Sequence, residues 1–262
     1  MADSGNGADG SIIKFASVET AYPANDGTDE IAALLKPFAD KWHVSYGDII
    51  QFSAAVAVSN CPGSAPIGFK AGRPAATQVP PDGLVPEPAD SVTKILARFA
   101  DAGFSAKEVV ALLASHTIAA QDKVDPTVAG TPFDTTPERF DTQFFLETLL
   151  KGTVWPGQPN VVGSSKSPLS TEFRLLSDFA FARDSRTACE WQSFILDQAG
   201  MALKFKVAME KLAVLGQNVG SLTDCSEVIP IPSISLTLPK LPPGKTLADL
   251  ELSCPGAPTL IL

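Results

Sequence analysis

Residues 112–157 read LLASHTIAAQDKVDPTVAGTPFDTTPERFDTQFFLETLLKGTVWPG, and the histidine near their start is the most informative residue of the chain. Apolar side chains precede it at helical spacing, at Val109, Leu112 and Leu113. His116 continues this spacing, which predicts an imidazole on the inward face of a helix. Two interpretations stay open: a hydrogen-bonded core histidine, or an axial ligand to iron whose second ring nitrogen donates to an acceptor such as Asp178.

An oxygen-rich segment, DTTPERFD, follows at residues 134–141. Asp134, Thr136 and Asp141 offer hard oxygen atoms within a short stretch that is rich in turn-forming residues. Because Ca²⁺ binds about six to eight such oxygens, these residues are candidate ligands of an incomplete set. Helix capping by Asp134 or Thr136 is the alternative, and the spacing alone does not separate the two.

The composition restricts the class of protein and the kinds of partner. With 45% hydrophobic and 19% charged residues among 262, the chain is long enough to bury a large core. A formal net charge of −9 argues against nucleic acid, which binds clustered Lys and Arg, whereas an acidic surface suits metal cations. No apolar run is long enough to predict a membrane span, and the N-terminal MADSGNGADG lacks the features of a signal peptide.

Helical patterns dominate the chain, and strand signals are few and short. Ser45 is a predicted N-cap, Ser105 and Glu108 fit a capping box, and Pro37 is expected to kink the first long helix. The predicted helices cover about residues 28–41, 45–56, 91–102, 105–120, 137–151, 171–183, 185–198 and 201–215. The segment 61–88 is predicted to be a long loop and 226–262 an extended tail, because both are rich in proline. The fold class is therefore mainly α.

The quoted stretch resembles the class II fungal secretory haem peroxidases, and its closest likeness is to the manganese-oxidising members. The likeness also covers GADGSI at 7–12, GRPAATQVPPDGLVPEP at 72–88 and ARDSRTACEWQSF at 182–194, and so extends over essentially the whole chain. The resemblance implies a single peroxidase domain over 1–262, with haem b between a distal and a proximal helical half. The remaining distal half is expected at about 1–103, the proximal half at about 104–225, and the extended tail at 226–262.

The same resemblance assigns the metal and cofactor ligands. His116 is then the axial ligand of the haem iron, Asp178 accepts a hydrogen bond from its other nitrogen, and Phe133 packs beneath the haem. A carboxylate acceptor makes the imidazole more electron-donating, which stabilises high-valent iron. Two Ca²⁺ ions are implied, with a partial distal set and a proximal set. The distal set is Gly7, Asp9 and Ser11; the proximal set is Thr117, Asp134, Thr136, the Arg139 carbonyl and Asp141.

Two positions bear on the reducing substrate. The surface tryptophan that passes electrons from bulky aromatics in lignin-oxidising and versatile members corresponds to Ala111 here. Asp122, six residues after His116, matches the aspartate that binds Mn²⁺ together with two glutamates in manganese-oxidising members. An exposed, solvated aspartate is the alternative. The resemblance implies hydrogen peroxide as oxidant, with Mn²⁺ or small aromatic reductants as substrates, in a secreted monomer without nucleic-acid or membrane partners.

The sequence departs from the family upstream of GADGSI, where members carry a helix with a distal His and Arg. That helix, one calcium Asp and both manganese glutamates have no counterpart here, so the chain is expected to lack an N-terminal segment. Glu19 and Asn25 match residues that orient the distal His. Cys189 is implied to pair with Cys254, and the partners of Cys61 and Cys225 are expected in the absent segment. The implied function is therefore peroxide-dependent oxidation as in lignin degradation, and an inactive fragment of such an enzyme is one form that this chain can take. A haem- and calcium-binding protein without efficient peroxide cleavage is the alternative function, and a silent structural protein is a third.

Overall fold

A computed structural model describes residues 7–235 and 237–256, and this part of the chain is mainly helical. Met1, on which the expected late start depends, and residues 236 and 257–262 of the expected tail lie outside the described residues. Within the described part the α-helices are α1 (Ser11–Lys14), α2 (Ala16–Glu19), α3 (Thr28–Trp42), α4 (Tyr46–Ser59), α5 (Val92–Asp101), α6 (Ala106–Leu112), α7 (Gln143–Glu147), α8 (Leu176–Phe181), α9 (Ala188–Phe194) and α10 (Gln198–Ala213).

Strands are confined to short antiparallel pairs, and several 3₁₀ turns connect the helices. The pairs in the described residues are β1 (Lys70–Ala71) with β6 (Thr223–Asp224), β2 (Ala120–Gln121) with β3 (Thr131–Pro132), and β4 (Ser164–Ser165) with β5 (Arg174–Leu175). The 3₁₀ helices are Pro23–Asn25, Leu113–Ile118, Pro126–Val128, Val219–Ser221, Ser226–Val228 and Leu247–Asp249. The predicted fold class, mainly α with few short strands, is confirmed. None of the described helices has the length and apolar character that crossing a bilayer requires.

The described chain forms two compact units, and each has its own core. Among the described residues, unit 1 comprises 7–60, 65–86 and 206–232, and unit 2 comprises 61–64, 87–205, 233–235 and 237–256. The division into halves at about residue 103 stays a prediction. In unit 1, α4 carries Asp48, whose carboxylate accepts a hydrogen bond of 2.8 Å from the buried guanidinium of Arg73. The same carboxylate accepts hydrogen bonds from the backbone N–H groups of Gly72 and Arg73, which holds this loop against the helix.

The core of unit 2 is built from aromatic rings. Phe145 lies 4.9 Å from Trp191 and 5.1 Å from Phe194, measured between ring centroids. The indole N–H of Trp191 donates to the carbonyl of Phe145 at 3.0 Å, so the one polar atom of this fully buried side chain is satisfied. Cys189 of α9 forms a disulfide with Cys254, which attaches the end of the tail to unit 2 as the resemblance implies. Cys61 and Cys225 form no disulfide within the described residues.

Several predicted helices are confirmed. The α-helices α3, α4, α5 and α10 match the predictions for 28–41, 45–56, 91–102 and 201–215. The Ser45 hydroxyl accepts from the backbone N–H of Asp48 at 3.0 Å, and the Ser105–Glu108 capping box forms in both directions. His43 is exposed at the C-terminal end of α3, where it adopts a left-handed conformation with φ of 56°.

The predicted helix boundaries in the central part of unit 2 are wrong. The helix expected over 105–120 remains α-helical only to Leu112, and the Ser115 hydroxyl donates to the Leu112 carbonyl where the 3₁₀ turns begin. The helix expected from Pro137 begins at Gln143, because the carboxylates of Asp134 and Asp141 accept hydrogen bonds from the backbone N–H groups of Thr136 and Gln143 and hold the chain in turns. The helix expected from 171 begins at Leu176, since the two residues before it pair as β5.

The helix expected over 185–198 is shorter at both ends. The Asp184 carboxylate accepts from the backbone N–H of Arg186 at 2.9 Å and holds the chain in a turn, so α9 begins only at Ala188. It ends at Phe194, and α10 begins at Gln198. Except before Leu176, where the preceding residues pair as a strand, a side chain that satisfies a nearby backbone group competes with the helix at each of these boundaries.

Candidate functional site

His116 lies in the 3₁₀ helix that continues α6, and its imidazole meets a buried carboxylate. The Nδ1 atom is 2.9 Å from Oδ2 of Asp178, which lies in the first turn of α8 and is 1% exposed. The ring of His116 packs against Phe133 at 5.0 Å and Phe144 at 5.6 Å between centroids. The structure therefore brings together three residues that the sequence singled out, His116, Asp178 and Phe133.

The hydrogen bond to Asp178 uses Nδ1 of His116 and leaves Nε2 at the other edge of the ring available for a ligand. Among the described residues, no group forms a hydrogen bond with Nε2 of His116, and Oδ1 of Asp178 is buried without a partner. Burial disfavours a charged imidazole, but the charge and hydrogen bond of Asp178 outweigh it and hold the pKa of His116 above its usual range. A histidine oriented by a carboxylate through one nitrogen, with the other nitrogen unused, fits an axial metal ligand.

The predicted proximal calcium residues form one connected cluster. The hydroxyl of Thr117, the residue after His116, donates to Asp134 Oδ2 at 2.6 Å and lies 3.5 Å from the carbonyl of Arg139. The backbone N–H of Thr136 donates to Asp134 Oδ1 at 2.8 Å, and its hydroxyl donates to Asp141 Oδ1 at 3.1 Å. All five predicted residues therefore converge, although they come from two separate stretches of the chain.

Burial makes this cluster unfavourable for negative charge unless a cation is present. Asp134 is 1% exposed and Asp141 is 4% exposed. Burial raises the pKa of Asp134 to about 8 in spite of its hydrogen bonds to Thr117 and Thr136, and burial also raises the pKa of Asp141. Two carboxylates, two hydroxyls and a carbonyl are the oxygens that Ca²⁺ prefers, so the donor set fits this ion. The described residues contain no group of three or more His, Cys, Asp or Glu placed to hold a metal.

The residues predicted for the distal side lie together in unit 1. Gly7, Asp9 and Ser11 share one turn, in which the Asp9 N–H donates to the Gly7 carbonyl at 2.9 Å and the Ser11 N–H to Asp9 Oδ1 at 3.0 Å. The Ser11 hydroxyl donates to Glu19 Oε2 at 3.1 Å, and Asn25 Nδ2 donates to the Glu19 carbonyl at 2.9 Å. Glu19 is 3% exposed, its Oε1 has no hydrogen-bond partner in the part of the chain that the structure describes, and burial raises its pKa.

Asp122, the candidate manganese ligand, is exposed and follows β2. Its Oδ1 accepts from the backbone N–H of Gly130 at 2.8 Å, which fixes the carboxylate across the β2–β3 turn. Within the described residues, no further acidic side chains join it in a metal-binding group. The structure therefore places this residue at the surface with no other ligand of the expected trio.

A buried acid pair beside the cluster escaped the sequence analysis. Glu147 of α7 is 0% exposed and accepts from the backbone N–H and the hydroxyl of Thr135, at 2.8 and 2.7 Å. Glu172, which is 2% exposed, hydrogen-bonds to Glu147, and Arg174 Nη2 donates to the Glu147 carbonyl at 2.8 Å. Because Thr135 lies between Asp134 and Thr136, Glu147 orders the loop that carries the cluster. The sequence signal that could have revealed this pair is Glu147 itself, a single acidic residue within the apolar run FFLETLL.

Comparison with known proteins identifies the family. The Peroxidase family model matches residues 2–197, and the fungal peroxidase extension region matches residues 200–260. The chain is 54% identical to Versatile peroxidase VPS1 of Pleurotus eryngii over 97% of its own length and 69% of the relative. It is also 54% identical to Manganese peroxidase 3 of Phlebia radiata, and 52% identical to Ligninase H2 of Phanerodontia chrysosporium. Both alignments cover 97% of this chain, and they cover 70% and 69% of the respective relatives.

The ionisation of Glu172 gives a test of the acid pair. Burial and the charge of Glu147 raise the pKa of Glu172 to about 10, so the folded protein keeps a proton that the unfolded chain releases at about pH 4.3. Between these values the unfolded state binds fewer protons, and Glu172 makes stability fall as the pH rises, by up to about 1.4 kcal/mol per pH unit. Glu172→Gln keeps a donor to Glu147 but cannot ionise. We expect a flatter pH dependence of the unfolding free energy between about pH 5 and 8, measured by urea denaturation.

The exposed Glu227 provides the matched control, since Glu227→Gln makes the same chemical change at the surface. The control should leave the slope unchanged. If Glu172→Gln leaves the pH dependence of the unfolding free energy unaltered, Glu172 does not keep a proton in the folded protein.

Proposed function

The chain belongs to the peroxidase family and carries its fungal extension region, and from this premise we propose that it binds haem b and uses hydrogen peroxide to oxidise Mn(II) or small phenolic reductants. The observation that carries the proposal is the 2.9 Å contact between His116 Nδ1 and the buried carboxylate of Asp178. This contact fixes the ring and leaves Nε2 for iron. Haem, when bound, supplies the redox chemistry with peroxide.

Each proximal residue then has a distinct role. His116 would hold the iron through Nε2, while Asp178 keeps the proton on Nδ1 and makes the imidazole a stronger electron donor. Phe133, whose ring lies 5.0 Å from the imidazole, would pack beneath the haem and exclude water from the histidine. Glu19 and Asn25, joined by a 2.9 Å hydrogen bond, would support the distal side. The distal acid–base role itself is assigned to no residue of this chain.

We further propose two calcium sites. Thr117, Asp134, Thr136, the Arg139 carbonyl and Asp141 would hold the proximal ion, and their buried carboxylates support this assignment. Because Thr117 adjoins His116, the ion would fix the end of the histidine-bearing turn. Gly7, Asp9 and Ser11 would contribute to the distal ion.

The proposed reductants rest on two sequence positions, Asp122 and Ala111, and on the substrates for which relatives are named. Asp122 would be a manganese ligand, and Ala111 stands where lignin-oxidising members carry a surface tryptophan. One relative is named for manganese and another is a ligninase, and we extend both substrates and a role in lignin degradation to this chain as proposals. Secretion and a monomeric state are proposed in the same way.

The function is tested by loading the 262-residue chain with haem and calcium and recording its Soret spectrum before and after peroxide, with and without Mn(II). We expect Mn(II) oxidation that depends on peroxide but is slowed by about two to four powers of ten, because no residue of the chain is assigned the distal acid–base role. Asp122→Asn should raise the KM for Mn(II) at least about tenfold while phenol oxidation is unchanged. Haem uptake without turnover would instead support the binding-protein alternative. Failure to take up haem would contradict the proposal.

Loss of the proposed iron ligand should abolish stoichiometric haem uptake. We expect His116→Ala to lose the Soret band of the reconstituted protein, because the other histidine of the chain, His43, is an exposed residue at the C-terminal end of α3. Asp178→Asn should retain haem but raise the reduction potential of the iron, since a neutral amide is a weaker acceptor from Nδ1. Spectroelectrochemical titration measures this change. Asp224→Asn, at a side chain that is 62% exposed, should leave the potential unaltered.

Calcium should stabilise the folded chain through the proximal cluster. At about 100 times its dissociation constant, a ligand that binds only the folded state adds about 2.7 kcal/mol to the unfolding free energy. We expect Asp134→Asn to lose most of this gain, as measured by thermal unfolding with calcium or with a chelator. Asp82→Asn, at an exposed position, should respond to calcium as the unaltered chain does. Equal calcium responses of the two variants would exclude the assignment.

A further inference from the structure

A surface cleft of unit 2, here called the Trp155 cleft, lies apart from the residues assigned above. Its volume is about 410 Å³, within the range of about 300 to 1,000 Å³ that is usual for small-molecule sites. The side chains that matter for recognition are Lys151, Trp155, Lys166, Leu176, Phe179 and Glu251. They combine two aromatic rings and an exposed aliphatic group with two amines.

The aromatic walls suit a flat ring. Trp155 is half-buried, and its indole N–H has no acceptor among the described residues. Phe179 is also half-buried, and the guanidinium of Arg183 stacks over its ring at 3.9 Å. Leu176 is 37% exposed beside them. Because the guanidinium groups of Arg183 and Arg174 lie over Phe179, the ring that the cleft offers for stacking is mainly that of Trp155, together with its indole N–H as a donor.

The charges at the cleft favour an anion. Lys151 and Lys166 are exposed, and neither ammonium group donates a hydrogen bond within residues 7–235 or 237–256. Glu251, the acidic residue of the cleft, is already paired, because Arg183 Nη2 and Nε lie 2.7 and 3.1 Å from its Oε2. Lys151 also interacts electrostatically with the carboxylate of Asp249, so Lys166 is the amine of the cleft that has no such partner among the described residues. A chain with a formal net charge of −9 thus keeps a local positive charge at this cleft.

The backbone beneath the cleft is fixed. The backbone N–H groups of Thr153 and Val154 donate to the Ser167 carbonyl at 2.9 and 3.1 Å, and the Ser167 N–H donates back to Val154 at 2.9 Å. A Cβ at Gly152 would lie 2.4 Å from the Lys166 carbonyl, so glycine permits this close approach. Trp155 and Lys166 are therefore held next to each other before any ligand binds, which lowers the entropic cost of binding.

We propose that the Trp155 cleft binds a small aromatic carboxylate, with its ring against Trp155 and its carboxylate at Lys166 and the indole N–H. Phe179 directly follows Asp178, whose carboxylate lies 2.9 Å from His116 Nδ1. For this reason, oxidisable phenolic members of the class, the hydroxycinnamates, are the ligands to test. That choice rests on the proposed function, whereas the binding site itself does not.

The test is calorimetric titration of the full 262-residue chain with 4-hydroxy-3-methoxycinnamate, without peroxide or manganese. We expect one site, and Trp155→Ala should weaken binding about tenfold, in line with the loss of an aromatic contact. Trp42→Ala removes a tryptophan of unit 1 that is 66% exposed, and it should bind as the unaltered chain does. Lys166→Gln is a second variant, and it changes an exposed side chain that should not affect folding. It tests the same cleft even if Trp155→Ala unfolds the protein.

A neutral analogue separates the charge from the ring. The corresponding cinnamyl alcohol should bind more weakly than the carboxylate, and Lys166→Gln should weaken the carboxylate several-fold while leaving the alcohol unchanged. No binding to the unaltered chain, or equal binding to Trp155→Ala, overturns the proposal. Since the titration uses neither peroxide nor Mn(II), its failure is distinguishable from failure of the peroxidase function.

Discussion

The hydrogen bond between His116 and Asp178 is the constraint around which unit 2 is organised. A carboxylate that is 1% exposed needs a donor, and His116 Nδ1 is the side-chain partner that the structure supplies. The histidine lies in the 3₁₀ helix that continues α6, and Asp178 lies in the first turn of α8, directly after β5. The residue after His116 begins the calcium cluster, so the iron ligand and the calcium ligands share one backbone segment.

Buried acids are the recurring cost of this arrangement. Asp134, Asp141, Glu147 and Glu172 are all at most 4% exposed in the same unit, and charging all of them in the absence of cations would be unfavourable. The structure relieves this cost in two ways. Glu172 keeps its proton and donates to Glu147, which is possible because its pKa is raised to about 10. Asp134 and Asp141 instead present their oxygens to one cluster, where a calcium ion would neutralise them.

The sequence predicted the parts of the fold that depend on local signals. Helix α4 follows from its cap at Ser45, and α6 begins as the Ser105–Glu108 capping box requires. The early end of α6 and the late start of α7 were not predictable in this way. They depend on hydrogen bonds that Ser115 and Asp141 make with the backbone, which compete with a helix of otherwise suitable composition.

In the candidate site as well, residues that belong to a local pattern or motif were predicted, and residues that matter only through long-range contacts were not. His116 stood out through helical spacing, and Asp134, Thr136 and Asp141 as a short oxygen-rich stretch, whereas Thr117 and the Arg139 carbonyl were named through the resemblance alone. Glu172 has no motif and acquires its importance only from its approach to Glu147, a contact between residues 25 positions apart that no local pattern encodes. Arg174 escaped detection likewise, since its role is a hydrogen bond to a carbonyl of α7.

The reductant is a question that overall similarity does not answer. Relatives named as a versatile peroxidase, a manganese peroxidase and a ligninase are 54%, 54% and 52% identical to the chain, so single positions must carry the distinction. A cation and an aromatic anion need opposite electrostatics, and the two surfaces differ accordingly. Asp122 presents an exposed carboxylate, whereas the Trp155 cleft presents two amines beside an acid that Arg183 has neutralised. Because their charges are opposite, the two ligands would not compete for one surface, and a single chain is able to carry both sites.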